Sequence, residues 1–270
     1  MNIRYFDAHC HLQFYDYAAD SGALIARMRD EGVAGIIVGV DRESSEKAIT
    51  LAEKHEHLFA AVGIHPNNRE PFSTDVFRLL AKKENIVAIG ECGLDYYRAG
   101  QSKEVQQESL RAHIALAAEL DKPLIIHCRP SFAKASEGKP SHDAYHDLIS
   151  MLKEAKTAHG EVVRGDIHFF VGGAAEAEAL IALGFTVSFT AVITFARDYD
   201  AVIRAVPLAS ILCETDAPYV APASRRGKRN DPLAVVEVAL KIAEIRSEDP
   251  EAVRAALLAN ARRLFVPDHV

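Results

Sequence analysis

The chain has 270 residues, 49% of them hydrophobic and 26% charged, a composition that excludes a disordered or low-complexity protein and supplies enough apolar material for a sizeable core. A formal net charge of -7 excludes nucleic-acid binding through a generally basic surface, while leaving room for a local basic site or for binding through metal ions. Met1 to Leu12 has no basic segment followed by an apolar run, no stretch resembles a membrane span, and the four cysteines lack zinc-cluster spacing, so the expectation is a cytoplasmic protein with reduced thiols and no membrane association.

Short β-rich runs alternate with longer amphipathic stretches along the chain. Eight strand candidates are Arg4–His9, Gly35–Val40, Phe59–Gly63, Ile86–Gly90, Pro123–His127, Asp166–Phe170, Phe185–Phe189 and Ser210–Glu214. Helical patterns cover Ala23–Glu31, Ser44–His55, Lys103–Leu120, Asp143–Ala158, Ala174–Leu183, Pro232–Arg246 and Pro250–Arg263. This alternation predicts parallel pairing, and eight repeats are the number that closes a barrel. The predicted fold is α/β, a single (β/α)8 TIM barrel spanning residues 1–270, with a doubly wound open sheet as the alternative. No linker marks a second domain. Ser131–His142, rich in Ser, Lys, Gly and Pro, reads as an exposed loop after the fifth strand.

The first strand ends in Asp7-Ala8-His9-Cys10-His11. Alternation along a strand sends His9 and His11 to one face, where they form a chelating pair. An isolated His-x-His is weak evidence, but partners recur elsewhere. Glu91 follows the fourth strand, His127 ends the fifth, His168 falls within the sixth and Asp216 follows the eighth. In a barrel such positions converge on one mouth. Six imidazole and carboxylate groups gathered there call for cations, and two ions about 3.5–4 Å apart with Glu91 bridging make a two-metal hydrolytic centre. Cys10, Cys92 and Cys128 are each one residue from a proposed ligand, so they are expected to face outward as small buried hydrophobes.

Around this centre, His65 in Gly63-Ile64-His65-Pro66 lies just beyond the third strand, as a donor to substrate or as a turn cap. Arg129 shares the His127 face and either reaches a phosphoryl oxygen or pairs with Glu91 or Asp95. Ser224 to Asn230 contains Arg225, Arg226, Lys228 and Arg229, a dense basic run that reads as phosphate-binding at the mouth or as a solvated charge run. The remaining histidines, at 55, 57, 113, 142, 146, 159 and 269, read as surface residues.

Asp-Ala-His-Cys-His-Leu at 7–12, Gly-Ile-His-Pro at 63–66, Gly-Glu-Cys-Gly-Leu-Asp-Tyr-Tyr at 90–97, His-Cys-Arg at 127–129 and Glu-Thr-Asp-Ala-Pro-Tyr at 214–219 closely resemble the TatD family of metal-dependent deoxyribonucleases. His168 to Gly172 looks like that family's His-x-Phe-x-Gly element, and Asn230 with Pro232 and Asn260 to Phe265 match its closing segments. Two departures are a longer loop at 131–142 and the absence of small polar residues between His168 and Gly172. The resemblance implies an amidohydrolase-superfamily barrel with His9, His11, Glu91 and Asp216 on one divalent ion and Glu91, His127 and His168 on a second. It implies that His65 and Arg129 contact the scissile phosphate.

The expected activity is hydrolysis of phosphodiester bonds in DNA, as a 3′-to-5′ exonuclease on single strands, with Glu91 and Asp216 catalytic and Asp216 accepting the proton of the attacking water. The ligand types suit Mg2+, Mn2+, Zn2+ or Ni2+, and no obligate protein partner is evident. A small amide, ester or lactone is the alternative substrate of such a centre, since fold and ligands do not separate the two chemistries. A nucleic-acid-binding scaffold with purely structural metals is the third reading, and the candidate general base argues against it.

Overall fold

The structure, a computed structural model, describes residues 2–98, 100–131 and 142–266. Eight strands form where the β-branched and aromatic runs predict them: β1 (Tyr5–Cys10), β2 (Val33–Val38), β3 (Leu58–Val62), β4 (Ile86–Asp95), β5 (Leu124–Arg129), β6 (Gly165–His168), β7 (Phe185–Phe189) and β8 (Ile211–Cys213). They pair in chain order, each parallel to the next. The sheet curls into a nearly closed TIM barrel. At the seam Cys10 bridges Ala217, the Asp216 N–H donates to the His9 carbonyl, and the buried Asp7 carboxylate accepts from Thr215 N and Oγ1 at 2.9 and 2.6 Å. Those contacts tie the segment bearing Asp216 to the strand bearing His9.

Around the barrel lie α1 (Ser21–Asp30), α2 (Arg42–Ala52), α3 (Thr74–Ala81), α4 (Lys103–Glu119), α5 (Asp143–His159), α6 (Ala174–Ala182), α7 (Asp200–Ala205), α8 (Val235–Arg246) and α9 (Pro250–Phe265). The polar residues ahead of several helices act as caps. Asp41 accepts from Ser44 N at 2.7 Å, and Asp249 with Pro250 opens α9, satisfying backbone N–H groups that have no partner inside the helix. Helices α3 and α7 are not foreseen in the sequence. They have eight and six residues, too few for a helical period to stand out. None of the described helices is long and apolar enough to cross a membrane.

Two apolar layers result. The inner one, inside the barrel, gathers Phe6, Ala8, Ala34, Ile36, Phe59 and Leu212, and the end of α9 inserts Phe265 and Val266 against them. The outer layer, between strands and helices, holds Cys10, Cys92, Cys128 and Cys213. The cysteines next to candidate ligands therefore do face away from the barrel interior, as alternation predicts.

Alternation alone does not describe β1 and β4. Phe6 and Ala8 pack inside while Cys10 packs outside, so parity changes at the register shift between Asp7 and Cys10. A second shift lies between Ile89 and Cys92. Both irregularities sit at candidate ligands, His9 and Glu91, and irregularities of this kind re-aim a side chain. Gly93 adapts β4 to its neighbour: its φ is +136°, and a Cβ there would lie 2.0 Å from the His127 carbonyl oxygen.

Two histidines read as surface residues are buried, His57 at 4% and His113 at 0% exposure. Their apolar neighbours come from other elements, which a local reading does not see. His269 and all but the end residues of the 131–142 loop lie outside the described residues. At the base of that loop, Ser131 bonds to the Asp143 carboxylate.

Candidate metal centre

Side chains from β1, β4, β5, β6 and the turn after β8 converge at the open end of the barrel. Two placements differ from expectation. His168 is the last residue of β6, not a mid-strand position, because Phe169 takes a left-handed φ of +47° that ends the strand. Glu91 lies within β4, which continues to Asp95, rather than beyond its end.

The six groups make two neighbouring clusters. Nε2 of His9 and Nε2 of His11 are 3.1 Å apart, with Glu91 Oε2 3.6 Å from the first and Asp216 Oδ1 3.4 Å from the second. Nδ1 of His127 and Nε2 of His168 are 3.3 Å apart, and each is 3.1 Å from Glu91 Oε1. Glu91 thus turns one oxygen toward each cluster. Metal–ligand bonds of about 2.0–2.2 Å place two ligands of one ion roughly 3–3.5 Å apart, the spacing seen here. The donor atoms of His9, His11 and Glu91, and those of Glu91, His127 and His168, each lie within 4.8 Å of one another.

The outer nitrogens of the imidazoles decide the chemistry of the inner ones. His11 Nδ1 faces the Val38 carbonyl at 2.8 Å, His168 Nδ1 faces Glu214 Oε2 at 3.1 Å, and His127 Nε2 faces Asp95 Oδ2 at 3.4 Å. At His11 and His168 the outer nitrogen meets an acceptor within hydrogen-bond distance, which favours the proton there and a lone pair on the inner nitrogen. The inner nitrogens stand 3.1–3.3 Å apart in each pair, the separation of two ligands on one cation. The donor set therefore fits divalent metal ions.

The electrostatics of Glu91 and His9 agree with that fit, whereas at His11, His127 and His168 burial is outweighed by the surrounding carboxylates, which raise the imidazole above its usual range, an anionic environment that a bound cation would neutralise. Burial opposes charge on Glu91, but His65, His168 and His127 outweigh it and hold the carboxyl well below its usual range. Burial, with His168 beside it, holds His9 well below the usual imidazole range. An ionised carboxylate and a neutral imidazole are the ligating forms. Behind the centre, Ser188 Oγ lies 2.7 Å from Glu214 and 2.6 Å from Asp166, and burial together with Glu214 pushes the Asp166 carboxyl up to about 7.

A cavity of about 730 Å³ opens above these groups, lined by His11, Glu91, His127, His168, Asp216, His65, Arg129 and others. His65 Nδ1 accepts from Asn67 N at 3.1 Å, so its Nε2 carries the proton, 3.5 Å from Glu91 Oε1. Burial holds this imidazole down to about 4. Arg129 lies over the Tyr97 ring at 4.0 Å, and among the described residues it has no carboxylate partner. The basic run is placed differently. Arg225 pairs with Asp231 at 2.6 Å, Arg229 with Asp20 at 2.6 Å, and Arg226 lies over Phe195 at 4.0 Å; neither Arg225 nor Arg226 lines the cavity.

The family described as TatD related DNase matches residues 6–266. The chain belongs to the TatD family. A Bacillus subtilis protein named as an uncharacterized metal-dependent hydrolase, YabD, is 35% identical over 266 residues, covering 96% of this chain and 98% of its own. The 3′-5′ ssDNA/RNA exonuclease TatD of Yersinia pseudotuberculosis is 31% identical over 272 residues, covering 96% and 98%. The solved structure of YJJV, a TatD homologue of Escherichia coli K12, matches with a TM-score of 0.85 at 30% identity over 98% of this chain and 99% of its own. The chain is accordingly a metal-dependent hydrolase of the TatD family on a TIM barrel.

Several groups of this TatD-family centre escape a motif-by-motif reading. Arg98, in the turn after β4, lines the cavity with no carboxylate partner among the described residues. Glu214 bonds to the outer nitrogen of His168, and Asp95 lies 3.4 Å from that of His127. Glu214 stands two residues before Asp216 and Asp95 opposite Arg129, positional signals that strand pairing makes available.

Proposed function

We propose that the chain hydrolyses phosphodiester bonds of single-stranded DNA from the 3′ end, with two divalent ions as cofactors. His9, His11, Glu91 and Asp216 would hold one, and Glu91, His127 and His168 the other. The observation that carries this reading is the pair of facing imidazole clusters with one Glu91 oxygen directed at each. Lewis-acid polarisation of the phosphoryl group and a lowered pKa for the attacking water are what divalent ions supply at such a centre.

The protein's own residues do the rest. Asp216, the most exposed carboxylate of the set with a side chain 14% accessible, takes the proton of the attacking water. His65, neutral at pH 7 with its proton on Nε2, donates to a non-bridging phosphate oxygen, and Arg129 and Arg98 present guanidinium groups to the phosphates. Arg226, which lies over Phe195 and has no carboxylate partner among the described residues, extends this role along the strand, whereas Arg225 is held by Asp231. Two guanidinium groups at the cavity favour a phosphodiester over a neutral amide, ester or lactone. The exonuclease name of the Yersinia relative supports the same choice and brings RNA within the substrate class.

The test is a metal-reconstituted assay against 5′-labelled single-stranded DNA and RNA with free 3′ ends, using Mg2+, Mn2+, Zn2+ and Ni2+ in turn. Stepwise shortening is expected. Intact strands alongside turnover of a small ester or amide would replace this reading with the amidohydrolase one. A folded Glu91→Gln variant is expected to lose metal-dependent turnover, and an active one rejects the assignment.

A further inference from the structure

Three aromatic rings stand around the metal centre, each beside a candidate ligand. Phe14 lies flat on the His11 ring, 4.6 Å between centroids and 2° between planes. Tyr219 approaches the same ring edge-on at 6.3 Å, and Phe169 follows His168 in the chain. All three line the cavity. Tyr219 is 54% exposed, a large apolar surface left to water at the mouth of a site, and its backbone is fixed. Its N–H donates to the Asp216 carbonyl, while its carbonyl accepts from Asn230 Nδ2 at 2.8 Å. Phe169 is fixed too, since its left-handed backbone is held by the N–H bond to Glu214.

The two side-chain amides of the same cavity both bond to the protein. Asn67 donates to Asp95 and accepts from Gly100 N, and Asn68 donates to Asp41 and accepts from Glu70 N. Each amide thus spends one donor and one acceptor on the protein, which fixes its orientation. Beside them the cavity presents apolar faces next to Arg98 and Arg129, the combination that binds unpaired nucleotides by stacking and by phosphate contact.

We propose that Phe14, Phe169 and Tyr219 form a stacking wall that holds the unpaired base of the 3′-terminal nucleotide against the metal centre, with Tyr219 as its outer leaf. This rests on the nuclease reading above. The wall accepts any base, since every base has a π-face, and a paired base cannot enter it without leaving its duplex. The Tyr219 hydroxyl has no part in the stacking.

The experiment compares 5′-labelled strands ending in thymidine or in an abasic tetrahydrofuran residue, followed by turnover with Mn2+ and by equilibrium anisotropy. Wild-type protein is expected to favour the base-bearing end. Tyr219→Ala should raise KM for that strand roughly 5–100-fold, the scale of one lost base stack, with the loss falling on KM rather than kcat, and should erase the preference over the abasic strand. Tyr219→Phe should keep the preference, and termini in A, C, G and T should differ by only a few-fold. Equal effects of Tyr219→Ala on both strands, or no preference in the wild type, would overturn the wall while leaving the nuclease reading intact. If the wild type cleaves neither strand with any metal, the nuclease reading falls and the wall with it.

Discussion

Oε2 of Glu214 lies 3.1 Å from Nδ1 of His168, while Oε1 of the same carboxylate takes the N–H of Phe169 and the hydroxyl of Ser188. One buried acid thus orients a candidate ligand and fixes the bend that follows it. Glu214→Gln keeps the volume but removes the charge that favours the Nδ1–H tautomer of His168. The expected result is a folded protein whose metal affinity falls about 10–100-fold, the scale for groups that orient metal-binding histidines. Calorimetric titration with Zn2+ or Mn2+ measures it, and unchanged affinity would refute the orienting role.

Arg98 and Arg129 line the cavity and lack carboxylate partners among the described residues. For single strands each phosphate neutralised contributes about 0.7 to the slope of log K against log salt. Arg98→Met and Arg129→Met are each expected to weaken strand binding and to flatten that slope by about this amount, measured by anisotropy across a salt series. Arg129→Lys should not restore full binding, because a compact ammonium replaces neither the planar fork nor the stacking over Tyr97. A slope that stays put in both methionine variants would remove these residues from the phosphate path.

The meeting of His9, His11, Glu91, His127, His168 and Asp216 at one mouth is legible in the sequence through strand alternation and barrel geometry, and the cysteines one residue out of phase pack outside. What escaped follows from departures from regularity. Phe169 ends β6 early through its positive φ, and β4 runs on through a register shift, so at these two candidate ligands the strand limits differ from those that the residue pattern predicts. His113 and His57 are buried by neighbours remote in sequence. Arg98 sits in a turn, where no period assigns a direction to a side chain, and Arg225 has a partner, Asp231, that a charge run does not reveal.

Gly93 makes the regularity of β4 conditional on having no side chain. With φ at +136° and a would-be Cβ 2.0 Å from the His127 carbonyl oxygen, Gly93→Ala must strain its own backbone and push on the residue that bears a candidate ligand. We expect a loss of at least about 3 kcal/mol in urea unfolding, together with weaker metal binding. A variant as stable as the wild type would show that β4 and β5 part easily, and would leave His127 without this fixed support.

His113 offers a prediction in pH. Its Nδ1 faces the Ser109 carbonyl at 2.7 Å, its Nε2 accepts the N–H of Ile64 at 3.0 Å, next to His65, and Phe72 stacks on its ring at 3.6 Å. Burial holds the imidazole down to about 4, against about 6.5 in an unfolded chain. Between those values the unfolded chain binds the extra proton, so stability falls as pH is lowered from about 6.5 toward 4, by about 3 kcal/mol in all. Above that window the contribution is constant. His113→Leu leaves the Ile64 N–H without a partner and should cost about 1–3 kcal/mol at pH 8. The variant also lacks the titrating group, so its deficit should shrink as pH falls and vanish or reverse near pH 4.5. Urea titrations of both proteins at pH 8, 6 and 4.5 isolate the effect, because the other buried histidines are common to both and cancel. A deficit that does not change with pH would show that His113 is not held neutral by its surroundings.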